Sequence, residues 1–254
     1  MERLIDDSII SSLDFQRELD ASKDLLTWGV KSNIPTLDEY IGDFGAGEVT
    51  VVSGVTGEGK TTLCRTLTRN FYAQGENSVW FSYEEIPKRF ISQFGIHLPE
   101  FFLPKTLRST SLKWIKEKIY EAKEQHGCRI AFVDHLHYLL DMAKVYNVSL
   151  QIGDIMRGIV EIAHEYDIHF FLIAHMAKVK PDAEPQKGDA RDSSFVEQEP
   201  DNVFYIWRKK TEERGATLKI AKNRRNGVFN KKINLVKLEN YLEEVDYGKN
   251  DEGR

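Results

Sequence analysis

The sequence predicts an α/β fold: a mostly parallel sheet with helices on both faces and an antiparallel C-terminal extension. Three observations predict it. Short apolar runs alternate with longer amphipathic stretches from residue 47 onward, one strand-to-helix junction carries a glycine-rich loop, and the last three apolar runs succeed one another with no helix-like stretch between them. Parallel strands need crossovers, which helices supply, whereas strands in direct succession turn back on one another.

Taken in order, residues 4–26 set Leu4, Ile5, Ile9, Ile10, Leu13, Leu19, Leu25 and Leu26 among acids and serines. That partly helical spacing predicts one or two short amphipathic helices, which must cover their own domain or dock on a neighbour. Residues 1–28 are therefore read as a linker or docking segment and 29–238 as the main domain. Strands are expected at Val49–Ser53, Ser78–Ser82, Arg129–Val133, His169–Ala174, Val203–Trp207, Thr217–Ala221 and Ile233–Leu238. Helices are expected at 60–74, 87–96, 111–126 and 151–166. From Glu239 the chain holds six acids against Lys249 and Arg254, so 239–254 is expected to be an acidic, fraying tail.

A chain of 254 residues has room for one such domain and a short appendage. Its net charge of −5 argues against coating nucleic acid wholesale. The charge is segregated, however. Eleven Lys/Arg against two Glu lie between Arg208 and Lys237, which suggests a confined anionic partner. Cys64 and Cys128 make neither a disulfide framework nor a metal spacing, and the charged start MERLIDDS is not a signal peptide. No apolar run is long enough to cross a bilayer. A cytoplasmic protein without a membrane partner is the expectation.

The glycine-rich loop is Gly54-Val55-Thr56-Gly57-Glu58-Gly59-Lys60-Thr61, followed by Thr62, and it fits G-x-x-x-x-G-K-[ST] at every fixed position. A strand feeding such a loop into a helix N-terminus is a phosphate cradle. Backbone N–H groups meet the phosphate oxygens, Lys60 reaches the β/γ-phosphates, and the Thr61 hydroxyl completes a Mg²⁺ shell. ATP or another nucleoside triphosphate, with Mg²⁺, is the expected cofactor. Asp134 ends the apolar run Ile130–Val133, the place of a metal-orienting carboxylate. Glu84 and Glu85 follow the run Ser78–Ser82, and Glu84 is read as the base that aligns water, provided its strand adjoins that of Asp134. His175 ends a third run and is placed to hydrogen-bond a γ-phosphate. His135 and His137 lie two apart without a Cys or carboxylate at ligand spacing, so no metal site is assigned to them.

In order, the motifs are Ile34-Pro35-Thr36-Leu37-Asp38, GVTGEGKT, FSYEEIP (81–87), FVDHLHYLL (132–140), IAHMAK (173–178), SSFVEQEPDNVFYIWR (193–208) and IAKNRRNG (220–227). Together they resemble the RecA-like motor domain of the DnaB-type replicative ring helicases, over about residues 29–238. Glu84-Glu85 and His175 look like the phage and mitochondrial helicase–primase branch. The resemblance implies an ATP-driven ring, a hexamer or a heptamer, that translocates on single-stranded DNA. It also implies that Lys222 and Arg224 of K-x-R act in trans on the neighbouring subunit's nucleotide, as a piston and an arginine finger. The polar stretch from Ala177 to Ser194 would line the DNA channel, with Lys178, Lys180, Lys187 and Arg191 as phosphate contacts. The family's N-terminal collar and primase domain have no counterpart ahead of residue 29, so a minimal motor is expected, with a separate primase or loader as partner. Rival expectations are a RecA-type recombination or loading ATPase that binds DNA without unwinding, and an ATPase of the circadian or kinase-like kind that ignores DNA.

Overall fold

The computed structural model describes residues 9–21, 28–140, 147–176, 184–186, 188–189, 194–208 and 214–245. Its centre is an eight-stranded sheet. The strands are β3 (Val49–Gly54), β4 (Ser78–Ser82), β5 (Ile130–Asp134), β6 (His169–His175), β7 (Asn202–Trp207), β8 (Gly215–Asn223), β9 (Lys231–Leu238) and β10 (Tyr241–Glu244), in the order β10-β9-β8-β7-β3-β6-β5-β4. A small antiparallel pair, β1 (Gly29–Val30) and β2 (Phe44–Gly45), precedes it.

Strands β4, β5, β6, β3 and β7 run parallel. They are buried on both faces, so their sequences are near-continuous apolar runs rather than alternating ones. The pleat still divides them: Phe132, Phe171, Ile173 and Val52 face one core, and Ala131, Val133, Phe170, Leu172 and Val51 face the other. Leu63, Leu67 and Phe71 of helix α3 (Lys60–Tyr72) and Leu37 and Ile41 of α2 (Pro35–Ile41) fill the first core. Ile115 and Ile119 of α5 (Leu112–His126) and Ile152, Ile155 and Ile159 of α6 (Val148–Tyr166) fill the second. The Ser111 side chain accepts the Trp114 N–H to start α5, and that of Asn147 accepts the Leu150 N–H to start α6. Trp80 of β4 is fully buried, stacks on Phe132 at 4.4 Å and donates from Nε1 to the Thr68 hydroxyl at 3.0 Å.

Three expectations need correction. Strand β7 pairs parallel with β3 and antiparallel with β8, so the antiparallel extension starts one strand later than the sequence suggests. The stretch after Glu239 adds β10 against β9, with Tyr241 and Leu242 buried, where fraying was expected. Helix α4 covers only Pro87–Ser92 and gives way near Gly95, whose φ of 79° is left-handed.

The two outermost strands have their edges engaged. Leu242 of β10 donates its N–H to the Thr66 hydroxyl of α3 at 2.8 Å. Beside β4, Phe102 donates to the Ser78 carbonyl and accepts from Trp80 N–H, both at 2.8 Å. Ahead of the domain, α1 (Ser12–Ala21) exposes Leu13 and Phe15. The remaining apolar positions expected at 4–5 and 25–26, and Lys178, Lys180, Lys187 and Arg191, lie outside the described residues.

Candidate functional site

The phosphate loop spans the end of β3 and the start of α3, as its sequence requires. A Cβ on Gly54 would run into the Ile206 carbonyl of β7, and Gly59 caps α3 at φ 106°, so neither position tolerates a side chain. Lys60 folds back over the loop and donates from Nζ to the Gly54 carbonyl at 2.9 Å and the Val55 carbonyl at 3.0 Å. Burial pulls its ammonium below the ordinary range, while the carboxylates of Asp134, Glu84 and Glu58 pull it back up. Glu58 accepts the backbone N–H of Arg208, which ties the loop to the end of β7.

The parallel register sets Ser82 opposite Asp134 and Asp134 opposite Ile173, so the ends of β4, β5 and β6 lie side by side at the mouth of the loop. This is the crevice outside the carboxyl ends of the strands, where open α/β sheets bind ligands. Thr61 donates its hydroxyl to Asp134 Oδ2 at 2.9 Å. Asp134 Oδ1 is buried and accepts no hydrogen bond from the described residues. Burial pushes this carboxyl up to about 7, against the opposing effect of the Thr61 hydrogen bond. A hydroxyl and a buried carboxylate oxygen with an open lone pair fit a hard divalent cation, so this donor set suits Mg²⁺.

A cleft of about 170 Å³ is lined by Thr56, Gly57, Gly59, Lys60, Thr61, Thr62, Arg65, Glu84, Gln93 and His175. Glu84 is exposed into it. Its neighbour Glu85 is half-buried and engaged by the Gln93 amide and by Arg89 at 3.6 Å. His175 sits with Nδ1 3.4 Å from the Thr56 hydroxyl and its ring 4.2 Å from that of His135. Arg65 and Gln93 escaped the reading of the sequence. Arg65 stands four residues after Thr61, one helical turn on, so its spacing places it on the cleft face of α3. Gln93, hydrogen-bonded to Arg65, follows a short helix and carries no such signal.

Lys222 and Arg224 do not join this cleft. Lys222 Nζ donates to the carbonyls of Gln198 at 2.6 Å and Pro200 at 2.7 Å, just past α7 (Phe195–Gln198). Arg224 pairs with Asp201 at 2.9 Å and donates to the Glu199 carbonyl at 2.9 Å, with its side chain largely exposed. Arg225 instead forms ion pairs with Asp43 and Glu48, beside the turn between β2 and β3.

Known proteins share this fold. A sequence profile described as the KaiC ATPase matches residues 30–102, and one described as the DnaB-like helicase C terminal domain matches residues 96–243. The replicative DNA helicase DnaB of Rickettsia felis is 28% identical over 112 residues, which cover 43% of this chain and 22% of that protein. A probable plasmid replicative DNA helicase of Chlamydia psittaci is 22% identical over 79% of this chain and 52% of its own length. The chain thus spans between about a fifth and a half of the curated relatives it matches. Among solved structures, an isolated ATPase domain superimposes with a TM-score of 0.76 at 20% identity, covering 95% of this chain and all of that one. A DnaB-like replicative helicase solved for its interactions with primase gives 0.75 at 20% identity, covering 95% and 68%. Both share the RecA-like fold of helicase ATPase domains. With more than half of its residues matched by that profile, the chain belongs to the family of the DnaB-like helicase C terminal domain.

Proposed function

We propose that this chain is an ATP-hydrolysing motor that assembles into a homo-oligomeric, hexameric ring and translocates on single-stranded DNA, unwinding duplex DNA during replication in the cytoplasm. One observation carries the reading. Loop, Glu84, Asp134 and His175 converge on one cleft, while Lys222 and Arg224 are held on the separate β8 hairpin, Arg224 facing outward. A cleft of this kind is completed by an arginine from the next subunit. The exposed Leu13 and Phe15 of α1 support the same assembly, as a docking helix whose apolar side chains a neighbour covers.

In this reading Lys60 exchanges its two loop carbonyls for β/γ-phosphate oxygens. Thr61 and Asp134 would hold Mg²⁺, which would supply charge neutralisation to the phosphates. Glu84 aligns the attacking water in line with the γ-phosphate and accepts its proton. His175 hydrogen-bonds the γ-phosphate and reports its loss to the segment that follows β6. Arg224, with Lys222 beside it, stabilises transition-state charge in trans, an effect of roughly 10³–10⁵ in rate for such fingers. The bond that breaks is the one between the γ-phosphorus and the bridging oxygen. The primase contacts of one structural neighbour support a separate primase or loader as partner.

The test mixes two variants. R224A and K60A subunits, each inactive alone, form interfaces that pair an intact loop with an intact arginine, so ATPase returns in the mixture. No recovery in mixtures that light scattering shows to co-assemble overturns the ring mechanism. Turnover that single-stranded DNA does not stimulate points to an ATPase unrelated to DNA. Stimulated turnover without strand displacement on a forked substrate points to a recombination or loading protein.

A further inference from the structure

The parallel register achieves something the linear sequence conceals: it delivers two imidazoles and a carboxylate to one point. Glu84 follows β4, His135 follows β5 and His175 ends β6, and a ligand atom from each lies within 4.8 Å of the other two. The His135 and His175 rings meet edge to face with centroids 4.2 Å apart. We infer that Glu84, His135 and His175 form a binding site for a divalent transition-metal ion of the zinc class, distinct from the Thr61–Asp134 pair, and that its occupancy silences hydrolysis. The silencing rests on the role proposed above for Glu84; the site itself does not.

The chemistry favours that class of ion. Two imidazoles and one carboxylate are the donor set of open zinc sites, with a fourth position left for water or a phosphate oxygen. Mg²⁺ demands oxygen ligands and near-octahedral geometry, so it prefers Thr61 and Asp134. Ligands at zinc stand about 3.3 Å apart, given bonds near 2.0–2.1 Å in a tetrahedron. Glu84 is exposed, and rotation of its side chain closes the remaining gap. The second shell is partly built. The Thr56 hydroxyl lies 3.4 Å from His175 Nδ1 and can accept its N–H, which leaves Nε2 with a lone pair for the ion. His135 Nδ1 accepts the His137 N–H at a long 3.3 Å, a contact weak enough for a metal bond to replace. Cys64 and Cys128 do not compete, because both thiols are buried and burial pushes their pKa up. A carboxylate that ligates the ion is turned toward it and shares its charge with it, so it is a far weaker base for the proton of an attacking water.

The experiment titrates Co²⁺ into untagged, nucleotide-free protein in excess Mg²⁺ and follows the visible d–d band of four- or five-coordinate cobalt. The expected result is a saturating band that stoichiometric Zn²⁺ displaces and that H135A and H175Q each weaken at least tenfold, with circular dichroism unchanged. The absence of a band overturns the site. So does a band that survives both histidine variants, or one lost only in D134N, which places the ion at the Mg²⁺ position. A second arm measures Mg-ATP turnover with and without Zn²⁺, each protein against its own zinc-free rate. Zinc should lower the parent's rate at least tenfold and leave the H135A ratio near one. Cobalt bound at the triad with turnover untouched by zinc overturns the silencing, and Glu84 as the base with it. A parent that never hydrolyses ATP overturns the proposed activity alone, since the cobalt band still judges the site.

Discussion

Replacing Asp134 by Asn tests the electrostatics of the cleft without changing its shape. The carboxyl is only 3% exposed, so solvent screens it little, and burial takes its pKa from 3.8 to about 7 in the folded protein. A proton is then held more tightly in the native state than in the unfolded chain. Between pH 3.8 and about 7 the native state carries more protons, so this group's contribution to stability falls as pH rises. At 1.36 kcal/mol per unit the full rise corresponds to about 4 kcal/mol, an order-of-magnitude ceiling for one group. The D134N variant lacks the effect. In urea unfolding of nucleotide-free protein with a chelator present, the stability of D134N minus that of the parent should widen by about 2.5 kcal/mol between about pH 5 and about pH 8. The difference matters because His169, buried and held neutral between Thr50 and Gly45, loses stability in the opposite sense as pH falls. That contribution is common to both proteins and cancels. Adding Mg²⁺ at the upper pH should restore the parent and leave D134N unmoved, because a cation selects the ionised carboxylate. A gap that stays flat or narrows with pH refutes the reasoning: Asp134 would then be ionised without a cation, and the Thr61 hydrogen bond would outweigh desolvation.

Three further outcomes follow from the same geometry. K60A should abolish turnover with native circular dichroism, because Lys60 Nζ bonds, among the described residues, only loop carbonyls, which the proposed mechanism exchanges for phosphate oxygens; unchanged turnover would sink the phosphate-loop assignment. E84Q should keep nucleotide binding and lose roughly 10²–10⁴ in turnover, the usual contribution of a general base, whereas E85Q should stay active; the reverse result puts the base one residue later. W80A should cost about 3–5 kcal/mol, since it empties the stack on Phe132 and removes the donor to the Thr68 hydroxyl, which keeps its own bond to the Cys64 carbonyl; chemical denaturation reading under about 1 kcal/mol would mean that Phe90 and Phe94 collapse into the space.

The parts legible in the sequence share one physical origin. Strands β4, β5 and β6 are buried along their length, so each reads as a nearly unbroken apolar run, and the residue at or just past its end marks the rim of the cleft. Glu84, Asp134 and His175 were visible for that reason. Strand β7 misled because local succession says nothing of a strand's other neighbour: it turns back on β8 yet lies parallel to β3, and among the described residues between β6 and β7 the one helix is the four-residue α7. Strand β10 was hidden by composition, since Glu243 and Glu244 outweigh the buried Tyr241 and Leu242 in any local average. Glu244 serves a remote purpose there, accepting the Thr36 N–H at 2.9 Å at the first turn of α2. The meeting of His135 with His175 and Glu84 depends on strand order, which single-chain spacing does not encode.

The engaged edges of the sheet govern how copies of this chain can approach one another. An open strand edge is a template on which a second backbone zips, in whatever register it arrives. Here Thr66 takes an amide at one margin and Phe102 covers the other, and the outermost strand on the first side is only four residues long. Backbone-to-backbone recruitment is thereby discouraged at both margins. Association is left to side chains, whose shapes and charges admit one relative orientation and reject the rest. For the ring proposed above, such joints are reversible, and they keep the chain from the fibrous fate of a sheet that goes on growing.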